Sequence, residues 1–382
     1  MKAVVRSGLD RLETIDSLLR GRRIGLMTNP TGVDHDLRSG IDILHGRYGL
    51  SALFACEHGV RGNLQAGEHA ETYVDADTGV TVYSCYGDTQ RLTKEMTDTF
   101  DVFVFDMQDV GARFYTYLYS LSYAMEACAE AGKPVIVLDR INPVGGELVQ
   151  GTLLDERFAS FVGLHAMPTR YGLTIGEYAR WVKDHLRLDL DLTVVPVSGW
   201  SRSLMIWDTD VPWVAPSPNL PSPASALAYS GTCIFEGTNL SEGRGTTQPF
   251  EFVGAPWIDA KAWETRLNAL ALPGIRFRRA SFTPTFSKHQ GQLCHGVQLH
   301  IPDPAIASPF AAGLFMIQTL YALHPEEFTF LLRGDVEQMK IELLLGTDAF
   351  GKPPLDAEAL IALHKPLIAA FQEETRPYRL YA

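Results

Sequence analysis

In the first half of the chain, short apolar runs alternate with longer amphipathic stretches. Residues 24–28, 50–56, 101–105 and 133–138 are apolar at nearly every position, as expected of strands covered on both faces. Residues 39–48 and 113–131 have helical spacing. In the second of these, Phe114, Tyr117, Leu118, Leu121, Met125 and Cys128 share one face and Gly132 stops the helix. A polar or amphipathic helix is predicted over 1–20, with Leu9, Leu12, Ile15, Leu18 and Leu19 near helical spacing. The pattern also predicts a short strand at 81–83, a helix at 174–186 and a strand at 192–197. Asn29-Pro30-Thr31-Gly32 is a strong turn signal. Strands alternating with helices predict an α/β fold with a parallel sheet.

The pattern then breaks. Pro212, Pro216, Pro218, Pro221 and Pro223 crowd one crossing, and proline lacks the amide hydrogen that helix and sheet interiors need. The domain boundary is therefore placed near 223, giving domains at 1–223 and 224–382. Beyond it come a glycine-rich polar segment at 231–256, a helix at 261–270 and strands near 274–277 and 296–301. Helices near 311–323 and 357–374 complete a smaller α+β domain. There is no internal repeat.

Composition narrows the function. The net charge of -12 argues against nucleic-acid or anionic-membrane partners but permits a small anionic substrate met by one or two arginines. Cys56, Cys85, Cys128, Cys233 and Cys294 are scattered and odd in number, the usage of reduced thiols. Residues 1–23 are charged throughout, and no apolar run is long enough to span a membrane. Together these features predict a soluble cytoplasmic protein.

Three polar clusters follow the predicted strands: Glu57-His58-Gly59-Val60-Arg61-Gly62, Asp106 through Arg113 with Gln108 and Asp109, and Asp139-Arg140-Ile141-Asn142. Ligands of open α/β sheets collect at the carboxyl ends of strands, so the three are expected to share one site. Each holds a carboxylate and an arginine, suited to acid–base work and anion binding. Asp109 and Asp139 suit loop bracing equally well, whereas Glu57 sits among glycines that leave room for a ligand. A fourth cluster, 235–251, brings Glu236, Asn239, Glu242, Arg244 and Thr246 together between aromatic residues. That density of hydrogen-bonding groups suits a sugar. The sequence lacks G-x-G-x-x-G, G-x-x-x-x-G-K-[ST] and G-x-S-x-G, and with them the usual phosphate loops and nucleophile elbow. No cofactor is expected. Glu57, His58, Glu68 and His69 lack the helical pairing of H-E-x-x-H, so no metal site is assigned. A metal-dependent hydrolase or amidase using His58 and His69 remains a rival reading, as does a non-catalytic sugar-binding protein.

The segments E-H-G-V-R-G (57–62), F-D-M-Q-D-V-G-A-R-F-Y-T-Y (105–117), D-R-I-N-P-V-G-G (139–146), P-S-P-N-L-P (216–221) and E-G-T-N-L-S-E-G-R-G-T-T-Q-P-F (236–250) resemble the NamZ family of exo-β-N-acetylmuramidases. The match runs in register from about residue 22 to 330. Past 330 it fits less well, apart from the closing Arg376-Pro377-Tyr378-Arg379-Leu380-Tyr381. The resemblance implies a Rossmann-like N-terminal domain, a smaller C-terminal domain and an active site between them. It also implies release of N-acetylmuramic acid from the non-reducing ends of peptidoglycan fragments. On this reading Glu57 is the general acid, and Asp106, Asp109 and Glu242 compete for the second carboxyl role of a glycosidase. The substrate-binding set is His58, Arg61, Gln108, Arg113, Tyr115, Arg140, Asn142, Glu236, Asn239, Arg244 and Thr246. Arg61, Arg113, Arg140 and Arg244 are the cations available for the lactyl carboxylate. The chain departs from the family at Cys56 and Ile141, where proline is common, and at Tyr171, where histidine is common. Without an export signal, its expected substrates are imported or recycled fragments.

Overall fold

The structure, a computed structural model, describes residues 2–57, 59–62, 72–86, 90–334 and 336–382. Seven strands form the central sheet: β1 (Ile24–Thr28), β2 (Leu50–Ala55), β3 (Tyr73–Val74), β4 (Thr81–Ser84), β5 (Val102–Asp106), β6 (Val135–Leu138) and β7 (Leu192–Val195). Their order is β3-β4-β2-β1-β5-β6-β7, and every pair is parallel except β3 with β4. The chain winds outward from β1 in one direction and from β5 in the other, which places the topological switch point between them. β1, β5 and β6 are buried at every position, as their unbroken apolar runs predict. Phe54, Phe100 and Phe103 pack on β1 with ring centroids 5.5–5.7 Å apart. Gly25 makes this possible, since a Cβ there would lie 2.6 Å from the Phe100 ring.

The second, smaller domain has a three-stranded antiparallel sheet of β8 (Phe252–Ala255), β9 (Arg276–Phe282) and β10 (Cys294–His300), in the order β8-β10-β9. The helices Pro223–Thr232, Ala260–Ala269 and Pro309–Leu323 surround it, and the helix Ala357–Thr375 runs toward the end of the chain. The fold class is therefore as expected.

Several boundaries differ, each for a physical reason. Residues 9–19 form a 3-10 segment, Leu9–Ile15, and one α-turn, Asp16–Leu19, in place of a long helix. The helix expected from 113 begins at Tyr117, the backbone before it being held as a bridge, with Ala112 opposite Arg170 and Arg113 N donating to the Thr169 carbonyl. Pro223 opens a helix as well as closing the proline-rich crossing. It occupies the first turn, where its missing amide costs nothing, and the Ser222 side chain caps Ser225 N. The helix Pro223–Thr232, strand β8, the hairpin Leu332–Arg333 with Val336–Met339, and the helix Lys340–Leu345 lay outside the sequence expectations. Among the described residues, no helix is long and apolar enough to cross a membrane.

The domains interlock. Thr152 Oγ1 donates to the Leu345 carbonyl, and Trp181 Nε1 donates to Glu374 at 2.8 Å. The closing segment folds back onto the first domain. Tyr381 OH donates to Asp139, Leu380 N donates to Glu177 at 2.8 Å, and Arg202 N donates to the Ala382 carbonyl at 2.8 Å.

Candidate active site

β2 ends at Ala55 and the chain turns through Cys56 and Glu57. Gly62 closes this turn at φ 74°, where a Cβ would lie 2.6 Å from Pro30, so the turn packs directly on the one after β1. Glu57 accepts a hydrogen bond from the Tyr86 hydroxyl at 3.0 Å. Burial and then the charge of Glu57 raise the Tyr86 pKa above its ordinary value, which keeps the phenol a donor. The field of Glu57 also reaches Tyr115 and Tyr117. Both hydroxyls donate to the Pro216 carbonyl, at 2.8 and 2.7 Å, so the proline-rich crossing is fixed over this end of the sheet.

An aromatic seam leads from there into the second domain. Tyr115 packs 4.6 Å from Tyr117 and 6.1 Å from Tyr229, and Tyr229 lies 4.7 Å from Phe250. The Arg244 guanidinium stands 5.1 Å from the Phe250 ring. Arg244 Nη2 donates to Glu236 at 2.6 Å, and Nε lies 3.3 Å from Glu242. Lys288 Nζ sits 2.8 Å from the other Glu242 oxygen and donates to the Phe235 and Thr238 carbonyls. Burial works against the Arg244 charge, but Glu236 and Glu242 outweigh it and its pKa lies above the ordinary range. Burial raises the Glu236 pKa against the opposing pull of Arg244. The Glu236 side chain is 34% exposed and that of Glu242 only 2%, so Glu236 is the carboxylate of this cluster that a ligand can reach. Beside it opens a cavity of about 550 Å³ bordered by Asn219, Gly245 and Thr246.

The three strand-end clusters do not share one site. Arg140 holds Asp106 in a buried bidentate pair, with Nε and Nη2 at 2.6 and 2.9 Å. Burial raises the Asp106 pKa, and Arg140 acts in the opposite direction. Arg140 and Gln108, which donates to the Asp109 and Ile141 carbonyls, border the switch-point crevice. That crevice is narrow, with a volume of about 40 Å³.

Asp109 is buried, accepting from Gly111 N and from the Tyr171 hydroxyl. Burial pushes its pKa up to about 7. Asp139 accepts from Arg140 N, Gly176 N, Thr174 Oγ1 and Tyr381 OH and braces the loops around it. Arg113 is fully buried and donates to the Thr152, Met167 and Leu344 carbonyls, each at 2.7 Å. Asn142 is spent on Leu173 O and Val144 N, and Asn239 on Glu327 O and Thr329 N. Arg61 pairs bidentately with Asp75, at 3.0 and 2.9 Å, with Asp77 and Asp42 nearby. An arginine facing three carboxylates is poorly placed to attract an anion.

The contacts of Asp106, Asp109, Arg113, Arg140, Asn142 and Asn239 thus go to other groups of the protein. Glu57 acts electrostatically on Tyr115 at the sheet end, Glu236 and Arg244 stand at the far end of the aromatic seam with Glu242 behind Arg244, and Thr246 borders the cavity. His58, and with it Glu68 and His69 of the rival metal reading, lie outside the described residues. Sequence reasoning missed Tyr86, Asn219, Tyr229 and Lys288. Tyr86 follows β4, beside β2, and the strand-end rule applied to that short strand would have found it. Tyr229 belongs to the unanticipated helix Pro223–Thr232, and a lone lysine in a polar loop gives no signal.

Fold and site together define a two-domain α/β protein with carboxylates at the carboxyl end of its sheet and in the 236–242 segment of its second domain. The family model "Exo-beta-N-acetylmuramidase NamZ, N-terminal" matches residues 24–224, and its C-terminal counterpart matches residues 227–381. The peptidoglycan beta-N-acetylmuramidase NamZ of Bacillus subtilis is 46% identical over 383 aligned positions, covering 100% of this chain and 92% of that protein. Two crystal structures of DUF1343 family proteins from Bacteroides fragilis are also similar, with TM-scores of 0.90 and 0.76 at 35% and 30% identity, each pair covering 99% of both chains. The chain belongs to the exo-beta-N-acetylmuramidase NamZ family.

Proposed function

We propose that this protein is a glycoside hydrolase that releases N-acetylmuramic acid from the non-reducing ends of peptidoglycan fragments, with Glu57 as proton donor. The observation that carries this reading is the setting of Glu57. It follows β2 at the carboxyl end of the parallel sheet, with Gly59 and Gly62 at positive φ just beyond it, and accepts a hydrogen bond from Tyr86. Glycoside hydrolysis needs a carboxylic acid beside the leaving oxygen and a second carboxylate to attack or to activate water. With Asp106 and Asp109 committed elsewhere and Glu242 enclosed, Glu236 is the second carboxylate we favour. Arg244 is the cation best placed for the lactyl carboxylate, since Arg113 and Arg140 are enclosed and Arg61 faces three carboxylates.

The five cysteines are buried free thiols, which supports action in a reducing compartment on imported fragments. The test is turnover of a chromogenic N-acetylmuramide and of a muropeptide-derived disaccharide. Glu57→Gln is expected to lose at least about a hundredfold in kcat, the usual scale for a general acid. Turnover at the parent rate in that variant removes Glu57 from the mechanism. Arg244→Ala is expected to raise KM for the muramide, and an unchanged KM places the anion contact elsewhere.

A further inference from the structure

Glu57 and Tyr86 are neighbours by register. β2 and β4 pair in parallel, with Phe54 opposite Tyr83 and Ala55 opposite Ser84. The Cys85 amide extends the ladder by donating to the Ala55 carbonyl at 2.8 Å. Each two residues beyond the last pair, Glu57 and Tyr86 therefore leave the sheet side by side. The Ser84 hydroxyl donates to the Tyr86 carbonyl at 3.1 Å, which fixes the turn out of β4, and the Tyr86 hydroxyl reaches Glu57 at 3.0 Å.

The Tyr86 ring is also held by a chain of other rings. Phe161 lies 6.2 Å from it, at the tip of a tight turn that Ser160 and Gly163 close with reciprocal backbone bonds of 2.8 and 3.0 Å. Phe161 in turn stacks on Tyr123 at 6.3 Å with planes 3° apart. The Arg91 guanidinium stands 5.0 Å from the Tyr123 ring and pairs with Glu126 at 2.7 Å. Ring contacts at these separations are attractive as well as space-filling. The helix Tyr117–Glu130 and the 160–163 turn thus bear on the phenol that touches Glu57.

We infer that Tyr86 is the positioning residue for Glu57, that its hydroxyl orients the carboxyl and favours the charged form, and that Phe161 holds Tyr86 in that place. This rests on the reading of Glu57 as proton donor. A hydroxyl that donates to a carboxylate stabilises the ionised state. Tyr86 therefore sets an upper pH limit on the form of Glu57 that can protonate a leaving oxygen. Cys56, Tyr115 and Tyr117 also lie in the field of Glu57, and burial raises the pKa of all three, that of Cys56 to about 12. Each stays neutral while a carboxyl group titrates, so none of them supplies a competing charge.

The test is the pH profile of kcat/KM on the chromogenic N-acetylmuramide, with the Glu57 carboxyl carbon followed by NMR titration and assigned through Glu57→Gln. Tyr86→Phe keeps the ring and removes the hydroxyl. Its alkaline limb is expected to move up by about one pH unit, with kcat reduced about tenfold and KM unchanged. Phe161→Ala leaves the hydroxyl but releases the ring, and should move the same limb part of the way, whereas Phe161→Tyr should match the parent. An unchanged profile in Phe161→Ala overturns the part assigned to Phe161. Movement of the acidic limb in Tyr86→Phe supports Tyr86 as the positioning residue and overturns the donor role of Glu57. A profile and a titration midpoint both unchanged in Tyr86→Phe overturn the inference. If the parent protein does not hydrolyse the muramide, the catalytic reading falls, and the NMR midpoint, expected to rise by about one pH unit in Tyr86→Phe, alone decides the role of Tyr86.

Discussion

Replacing Arg113 by methionine separates a substrate contact from a structural brace. The guanidinium is fully buried and donates to three carbonyls, two in the first domain and the third, Leu344, in the second. Among the described residues it forms no ion pair. Burial therefore pushes its pKa from the ordinary arginine range down to about 10, a penalty on the charged form of about 3 kcal/mol at 1.36 kcal/mol per unit. Methionine fills similar volume and removes that penalty, but strips three buried carbonyls of their donors at about 1–3 kcal/mol each. Taking the middle of that range, Arg113→Met should lose about 3 kcal/mol in urea unfolding. Because one acceptor lies in the second domain, the variant should also unfold less cooperatively, with tyrosine and tryptophan signals no longer coincident. In the folded protein at low temperature, KM should match the parent. A variant of parental stability with a raised KM would show that Arg113 touches substrate and that the brace is wrongly assigned.

Arg140→Ala should destabilise the protein by about 3–5 kcal/mol, because it leaves Asp106 buried without its cation. Asp106→Asn combined with Arg140→Met should restore much of that loss in the same denaturation assay. Burial holds the Asp109 pKa at about 7, above its unfolded value near 3.8. The stability this group contributes is therefore present below pH 3.8 and is lost as pH rises toward 7, since the folded state holds the proton more tightly over that window. Asp109→Asn keeps an acceptor for Gly111 N and Tyr171. It should gain stability relative to the parent at pH 7.5 but not at pH 4, and equal differences at the two pH values would refute the shift. Tyr381→Phe should cost about 1 kcal/mol through loss of the bonds to Asp139 and Val197 N, measurable by thermal unfolding.

The sheet was legible because strands covered on both faces must be largely apolar, and 24–28, 102–105 and 134–138 are. The helix Pro223–Thr232 was not, because the same proline that breaks one element can begin another, and only the cap at Ser222 decides which. At the site, Glu57 and the Glu236–Arg244 segment stand out by composition alone. The structural roles of Asp106, Arg113, Asp139 and Arg140 do not, since charge in a sequence does not reveal its partner. Arg140 and Asp106 are 34 positions apart, and Tyr381 lies 242 from Asp139. A strand-end charge reads as a ligand until the segment that neutralises it is known.

The return of residues 376–382 to the first domain limits how this protein can be divided. A fragment cut at the proline-rich crossing would carry a complete run of strands, but Asp139 would lose Tyr381, Glu177 would lose the Leu380 amide, and Tyr115 and Tyr117 would sit at the broken edge. The sheet domain therefore behaves as a clasp with its catch on the far side of the molecule. Fragments ending near 223 should aggregate or stay loosely packed, and adding the missing half in trans is the more promising route to a folded whole.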